Sequence, residues 1–211
     1  MFKIYGGIMA ELNFMIWLHE HLSPTSFLTQ IMKLISEIGD HGIVWVALGL
    51  AMLCFKRTRV PGAVMLTCLA IGWVLNDFVL KDIFARPRPV SDSAFLLDWV
   101  TKSGYKIPKG FSFPSGHAMG AATCCFALIY FYRWRAALPT ITGALIVVSR
   151  VYISAHYPTD VLTGIALGLI IARLVTWAYA HYFPRFKRYL ILLRLSKRHN
   201  ALLLINPRVK I

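Results

Sequence analysis

Cysteines are few in this sequence, and none lies in a pattern typical of disulfides or metal sites. Four occur among 211 residues, Cys54, Cys68, Cys124 and Cys125, and all lie within apolar stretches. We therefore interpret them as small hydrophobic side chains and expect neither a redox role nor a bound metal. The first 14 residues also lack the apolar core and cleavage site of a signal peptide, so the first membrane helix is expected to direct targeting.

Acidic residues are also scarce, with 9 Asp and Glu against 23 Lys and Arg, which gives a formal net charge of +14. A charge of this size is common in nucleic-acid-binding proteins, where basic residues spread over a polar domain. Here they lie mainly at the ends of apolar segments. This placement argues against nucleic acid and indicates signals of membrane topology.

Apolar residues dominate the chain. They make up 57% of it, and the mean hydropathy is +0.60. A helix needs roughly 20 predominantly apolar residues to cross a bilayer core, and several stretches approach this length. We predict an all-α, polytopic membrane protein, a bundle of six transmembrane helices with interfacial helices. The six predicted segments are 25–38, 42–55, 60–80, 115–132, 136–154 and 159–180.

The chain divides into three predicted parts. Residues 1–24 form an N-terminal interfacial segment, in which 11–22 have the helical spacing of apolar residues typical of an amphipathic helix. Residues 25–180 form the six-helix domain. Residues 181–211 form a basic, amphipathic cytoplasmic tail, for which binding to an anionic leaflet and a solvated state are both open.

Basic residues in short loops predict the orientation of the six segments. They cluster at 56–59, at 133–135 and in the tail, all on one side if the segments alternate. Because basic loops are retained in the cytoplasm, both termini are predicted to be cytoplasmic. The long 81–113 connection then lies on the opposite face.

Polar residues that are unusual for a membrane chain cluster at helix ends on this opposite face. In Pro114-Ser115-Gly116-His117, proline suits the first position of a helix. Ser115, Gly116 and His117 would follow in the first turn, where free backbone N–H groups favour an anion. Lys81, Arg88 and Arg150 would add three cations, and such a cage suits phosphate.

A histidine and an aspartate follow the last of these cations. His156 and Asp160 are four residues apart, so their side chains can meet across the first turn of a helix. An aspartate that accepts a hydrogen bond from one imidazole nitrogen leaves the other free to attack phosphorus. We therefore predict His156 as nucleophile and His117, on another helix, as general acid.

Three motifs in this order resemble the signature of the type 2 phosphatidic acid phosphatase superfamily. They are Lys-x6-Arg-Pro at 81–89, Pro-Ser-Gly-His at 114–117, and Ser-Arg-x5-His-x3-Asp at 149–160. No position of the signature is missing. The motifs cover some 80 residues, and their combination is far more specific than any one of them.

The resemblance implies a six-helix membrane bundle and a metal-independent phosphatase that needs no cofactor and forms a phosphohistidine intermediate. It implies His156 as nucleophile, Asp160 as its orienting partner and His117 as acid. The positions that match phosphate-binding residues of the family are Lys81, Arg88, Ser115, Gly116, His117 and Arg150.

Three neighbouring residues have no role assigned by the resemblance. Arg86 belongs to a second Arg-Pro pair, and it is either a headgroup contact or a plain interfacial charge. Asn76 and Asp77 precede Lys81 by about one helical turn, where they either pair with it or simply add polarity near the membrane surface.

The predicted function is hydrolysis of a lipid-linked phosphate at the extracytoplasmic face of a bacterial cytoplasmic membrane. The short form of the chain resembles bacterial enzymes that act on undecaprenyl diphosphate, which we favour, or on phosphatidylglycerol phosphate; phosphatidate is a further alternative. Aromatic and apolar residues in 90–112 are expected to cover the site, or else to pack on the bundle.

Two hypotheses come from other classes of protein. A vanadate-dependent haloperoxidase would use a similar oxyanion cage, and a non-enzymatic phospholipid carrier would share the fold. Six apolar spans argue against the first, and intact His117, His156 and Asp160 argue against the second. The expected partners are the lipid substrate and membrane lipids, with no protein partner indicated.

Overall fold

The computed structural model describes residues 2–106 and 109–205, with side chains for 9–106 and 109–184. These residues contain helices and no strand, which confirms the all-α prediction. The α-helices are α1 (Phe2–Glu20), α2 (Phe27–Ile38), α3 (Ile43–Leu53), α4 (Arg59–Leu75), α5 (Lys81–Phe84), α6 (Pro89–Asp92), α7 (Ala94–Ser103), α8 (Gly116–Tyr132), α9 (Ala137–Tyr152) and α10 (Pro158–Ile205). A π-helical turn, Asn76–Leu80, joins α4 to α5.

Helices α8 and α10 form the most extensive helix pair among the described residues. Two glycines one turn apart on α10 allow this contact. A Cβ atom on Gly164 would lie 2.6 Å from the backbone oxygen of Ser115, and one on Gly168 would lie 2.6 Å from that of Met119. Neither backbone can yield as a flexible side chain would, so the helices approach closely only because these residues are glycine.

Small residues and buried apolar side chains complete the interior of the bundle. A Cβ on Gly62 of α4 would lie 3.0 Å from the Gly49 oxygen of α3, so this pair is also close. Cys68, Cys124 and Cys125 are buried, and they pack among residues such as Trp45 and Met65. The interpretation of these three cysteines as small hydrophobic residues is confirmed, whereas Cys54 is exposed.

The prediction of six crossings is not confirmed. By length and composition, two stretches, Arg59–Asp92 and Pro158–Pro184, are long and apolar enough to cross a membrane. The predicted segments 25–38 and 42–55 correspond to α2 and α3, whose axes form a bend of 45° at their junction. The two helices are long enough for a membrane span only when they are taken together. A 45° bend does not reverse the chain, so the pair is one broken span at most, and each half alone is too short.

Helices α8 and α9 are short for membrane spans. They contain 17 and 16 residues, which at 1.5 Å per residue gives about 25 Å each. That is a little below the roughly 30 Å of a hydrocarbon core, and it explains why neither passes as a span by length. Exposed side chains such as Ile129, Leu145 and Val148 nevertheless give both helices apolar outer surfaces.

Helix α1 lies at the end of the bundle where α10 begins. Glu11 Oε1 accepts a hydrogen bond from the Thr159 backbone N–H at 2.7 Å, and His19 Nε2 lies 2.8 Å from the Tyr152 oxygen. Residue 184 lies 26 residues further along α10, about 39 Å away at the opposite end. The prediction that both termini share one side is therefore not confirmed, because pairing α2 with α3 removes one crossing.

The predicted tail continues α10 as a helix as far as Ile205. Its side chains from residue 185 onward lie outside the described residues, and so does the backbone of 206–211. The amphipathic character predicted for 181–211 stays a prediction, and so does the three-part division of the chain.

The α8–α10 contact predicts a difference between two glycine-to-alanine variants. Gly168→Ala places a methyl group against the Met119 oxygen and should cost about 1–3 kcal/mol of stability. Gly120→Ala, also mid-helix, meets only a Leu69 methyl at 3.3 Å and is the matched control. Thermal unfolding in detergent should show a lower midpoint for Gly168→Ala alone, and equal midpoints would contradict the close contact.

Candidate active site

The three predicted motifs converge at the end of the bundle that also holds α1. Lys81 lies in α5, Ser115 to His117 begin α8, Arg150 ends α9, and Asp160 lies in the first turn of α10. The Ser115 N–H donates to the Asp160 backbone oxygen at 3.0 Å, so α8 and α10 begin side by side. All residues predicted for the site therefore lie in one region.

The start of α8 differs by two residues from the sequence prediction. Ser115 is the N-cap, and its hydroxyl accepts from the Ala118 N–H at 3.4 Å. Gly116, rather than Pro114, is the first helical residue. A Cβ on Gly116 would lie 2.9 Å from Asn76 Nδ2, so glycine is needed for α8 to approach the π-helical turn. An α-helix leaves the N–H groups of its first turn without a partner inside the helix, so the start of α8 can bind an anion.

Arg150 is a nearly fully buried cation, with 1% of its surface exposed. Its Nη1 donates to the hydroxyl of Ser36, and to Tyr105 Oη at 3.0 Å. The same atom lies 3.7 Å from Asp40 Oδ1. Its Nε is buried and has no hydrogen-bond partner among the described residues. An unpaired donor on a buried cation is suited to bind an anion.

Arg88 is also buried, but its donors point at backbone carbonyls. Nη1 donates to the Ala155 oxygen at 2.8 Å, and Nε to the Gly110 oxygen at 3.0 Å. Nη2 lies 3.2 Å from the Phe111 oxygen. In this state the guanidinium ties the connection after α7 to the turn before His156, and its positive charge remains next to the predicted nucleophile.

Lys81 forms an ion pair with Asp77 on the preceding turn, which was one of the two alternatives left open by the sequence. Its side chain is one-quarter exposed. Asn76 Nδ2 also donates to Asp77 Oδ1, at 3.2 Å, while the Asn76 side-chain oxygen has no partner within the described part of the chain. A π-helical turn shifts the side chains that follow it, and such turns are frequent at functional sites.

His156 is held by a backbone carbonyl. Its Nδ1 lies 2.7 Å from the Ser112 oxygen, which can only accept, so Nδ1 carries the proton and donates. The ring's Nε2 therefore presents its lone pair. Asp160 Oδ2 lies 3.7 Å from Nδ1, beyond hydrogen-bond distance. The predicted hydrogen bond between these two residues is therefore not formed here.

Burial and surrounding cations keep the imidazole of His156 neutral. Desolvation contributes most, followed by the charges of Arg150 and Arg88, and together they hold the pKa of His156 well below its ordinary value. A histidine with a lowered pKa stays unprotonated at neutral pH. The free lone pair is therefore available for nucleophilic attack.

Asp160 instead organises the first turn of α10. It is fully buried. One oxygen accepts from the Tyr157 backbone N–H at 2.9 Å, which satisfies a donor that the helix leaves free. The other accepts from Arg86 Nη1 at 2.6 Å. Asp160 thus fixes the turn that carries His156, through the backbone rather than through the imidazole.

Arg86, whose role the sequence left open, is the centre of an ion-pair network. Besides Asp160, its guanidinium bonds Glu11 Oε2 and Thr159 Oγ1, each at 2.8 Å. It also lies over the ring of Tyr157, 4.0 Å from the centroid. It is therefore neither a plain interfacial charge nor free to act as a headgroup contact, because its Nη groups are paired and its Nε is buried.

Several contributors to the site were missed by sequence reasoning. They are Glu11, Ser36, Asp40 and Ser112. Tyr105 was expected only as part of the cover over the site, and its hydroxyl accepts a hydrogen bond from Arg150. Asp40 Oδ1 lies 2.9 Å from Nε2 of His117, closer to this predicted acid than any other carboxylate in the described chain. Its position directly after Gly39, near the end of an apolar segment, suggested only a turn. Ser112 contributes its backbone oxygen, for which a sequence offers no residue-type signal.

Comparison with known proteins identifies the family. Residues 61–184 match the PAP2 superfamily, which is more than half of the chain. The chain belongs to the PAP2 superfamily. The resemblance based on the three motifs is therefore confirmed, and the protein is a phosphatase of this family in an integral membrane fold.

Relatives in the superfamily carry several substrate names. An undecaprenyl-diphosphatase of Sulfolobus acidocaldarius is 33% identical over 171 residues, which cover 79% of this chain and 78% of the relative. A phosphatidylglycerophosphatase B of Bacillus subtilis is 32% identical over 177 residues, 75% of this chain and 74% of the relative. The crystal structure of a transmembrane PAP2-type phosphatidylglycerolphosphate phosphatase from Bacillus subtilis superposes with a TM-score of 0.58 at 25% identity, covering 82% of this chain and 85% of that chain.

The ion-pair network predicts a strong effect of removing Arg86. Arg86→Met leaves the buried Asp160 carboxylate without its countercharge, and breaking a buried pair costs about 3–5 kcal/mol. Glu11→Gln keeps the Arg86–Asp160 pair and should cost less. Thermal unfolding and phosphate release in detergent measure both effects.

Lys102→Met is the matched control for Arg86→Met, since its partner Asp98 is exposed and such pairs contribute little. An Arg86→Met protein as stable and active as Lys102→Met would contradict the role of the network.

Proposed function

We propose that this protein hydrolyses a lipid-linked phosphate through a phosphohistidine on His156. The observation that carries the proposal is the state of that residue: buried, neutral, protonated on Nδ1 by its bond to the Ser112 carbonyl, and surrounded by cations. This is the form of imidazole that can attack phosphorus, placed where an anion would be attracted.

The reaction proceeds in two steps. Nε2 of His156 attacks phosphorus, the bond from phosphorus to the lipid or phosphate leaving oxygen breaks, and His117 donates a proton to that oxygen. Water then attacks the phosphohistidine and loses its proton to His117, the N–P bond breaks, and inorganic phosphate leaves. The Arg150 guanidinium and the first-turn N–H groups of α8 stabilise the charge that develops on the phosphate oxygens.

The position of the site favours a lipid substrate. The connection that carries α7 lies beside the site and has one buried face and one exposed apolar face. Leu96 and Trp99 are buried, and Trp99 Nε1 donates to the Leu22 oxygen at 2.8 Å, so one face packs on the bundle as one sequence alternative proposed. Phe95, Leu97 and Phe111 are 38–44% exposed beside the site, where lipid chains would contact them.

We infer that undecaprenyl diphosphate is the preferred substrate and phosphatidylglycerol phosphate the second candidate. The name of the Sulfolobus acidocaldarius relative supports the first. The Bacillus subtilis relative and the structural neighbour support the second. Phosphatidate is the third lipid to compare.

We propose that the site faces the extracytoplasmic side of a bacterial cytoplasmic membrane. The basic loops 56–59 and 133–135 follow α3 and α8, at the end of the bundle opposite the site. Basic residues in short loops favour the cytoplasm, which supports this orientation. With α2 and α3 counted as one broken span, α1 then lies on the extracytoplasmic face beside the site.

The first test is phosphate release by the purified protein in detergent with EDTA. We expect release from undecaprenyl diphosphate, and we expect His156→Ala to abolish it because the variant lacks the proposed nucleophile. His21→Ala, an exposed histidine of the α1–α2 connection, is the control and should retain full activity. Undiminished turnover by His156→Ala, or a rate that depends on added divalent metal, would overturn the mechanism.

The second test separates acid from nucleophile. His117→Ala should lower kcat by about 10²- to 10⁴-fold for a lipid leaving group, because the departing oxygen loses its proton donor. Parallel assays with undecaprenyl diphosphate, phosphatidylglycerol phosphate and phosphatidate rank the substrates by kcat/KM. An equal rate for His117→Ala and wild type would exclude His117 as the acid.

A further inference from the structure

Asp40 lies at the break between α2 and α3 and points into the site. The turn Asp40–Gly42 contains two residues with positive φ, His41 at 55° and Gly42 at 67°. This left-handed conformation interrupts the apolar helix and exposes a carboxylate at its end. Asp40 Oδ1 lies 2.9 Å from His117 Nε2 and 3.7 Å from Arg150 Nη1.

The packing around the break leaves little freedom for this contact. A Cβ on the preceding residue, Gly39, would lie 3.1 Å from His117 Cδ2 and 2.7 Å from Ile146 Cγ2. The backbone of the break therefore lies directly against the imidazole. One turn earlier, Ser36 accepts a hydrogen bond from Arg150. The end of α2 thus contacts both the predicted acid and the buried cation.

The titratable groups that face His117 come from four elements. Lys81 of α5 and Arg150 of α9 are cationic, and His156 lies on the turn before α10. Two cations disfavour a third positive charge on the imidazole, yet a general acid must hold a proton before the leaving oxygen departs. Asp40 is the carboxylate that contacts the ring and can offset them.

We propose that Asp40 is a positioning residue that orients His117 as the acid and favours its protonated form. It accepts the Nε2–H, so the proton transferred to the leaving oxygen comes from Nδ1. His117 remains bonded to Asp40 through Nε2 after the transfer, and Nδ1 regains its proton from the attacking water. This inference rests on the proposed function.

A carboxylate beside a phosphate site also repels the substrate. This repulsion gives the proposal a signature that a merely structural residue would lack. Removing the charge of Asp40 should slow the chemical step and at the same time improve binding of an anion. The variant should therefore have a lower kcat and, at the same time, a lower inhibition constant for inorganic phosphate.

The variant Asp40→Asn isolates the charge, because the amide oxygen still accepts a hydrogen bond from Nε2–H. We expect kcat to fall about 10- to 100-fold, and the pH above which kcat declines to move down by about one to two units. At a pH where His117 is protonated in both proteins, inhibition by inorganic phosphate should tighten by about 3- to 10-fold. Asp98→Asn, an exposed aspartate on α7, is the matched control.

A double variant keeps the test valid if Asp40→Asn lowers stability. In the His117→Ala background, Asp40→Asn should cause no further loss of kcat, because its effect acts through His117. An unchanged kcat and pH profile for Asp40→Asn would overturn the proposal. So would parallel losses of kcat and phosphate affinity, or a full further loss in the double variant.

Failure of this inference can be told apart from failure of the proposed function. If His156→Ala is inactive while Asp40→Asn behaves like wild type, only the role of Asp40 is wrong. If His156→Ala remains active, the phosphohistidine mechanism is wrong, and the assignment of Asp40 is overturned with it.

Discussion

The site depends on the close approach of α8 and α10. Gly164 and Gly168 bring the two backbones together, and the Ser115 N–H donates to the Asp160 oxygen at 3.0 Å where both helices begin. In lipid there is no hydrophobic drive between helices, so such contact relies on small residues and close packing. It fixes the first turn of α8, which can bind an anion, beside the turn that carries His156.

A balance of charge holds the rest of the site together. Without substrate, the buried cations would repel one another. Carboxylates from distant parts of the chain offset their charge: Glu11 and Asp160 pair with Arg86, and Asp40 lies near Arg150. Each pair joins elements that are far apart in sequence. Catalytic geometry and stability are therefore coupled, since a substitution that leaves one buried charge unpaired affects both.

The sequence predicted which motif residues lie close together better than it predicted the groups that hold them in place. The motifs predicted that Lys81, His117 and His156 lie in one region, because polar residues at helix ends on one face of a membrane bundle pair with one another. The bond from His156 to the Ser112 carbonyl could not be predicted, since any residue supplies that oxygen. The count of six crossings is not confirmed, because at residues 39–42 hydropathy reports apolar length but not the angle of a bend.

The anchoring of α7 determines how a lipid can reach the site. Trp99 bonds the Leu22 oxygen, and Tyr105, just beyond α7, bonds Arg150 at 3.0 Å. Lifting this segment as a lid would break both hydrogen bonds, each worth about 0.5–1.5 kcal/mol, and would unpack two aromatic rings. A route that enters sideways between helices, from within the bilayer, leaves these anchors intact. Such a route would favour substrates that diffuse in the membrane plane.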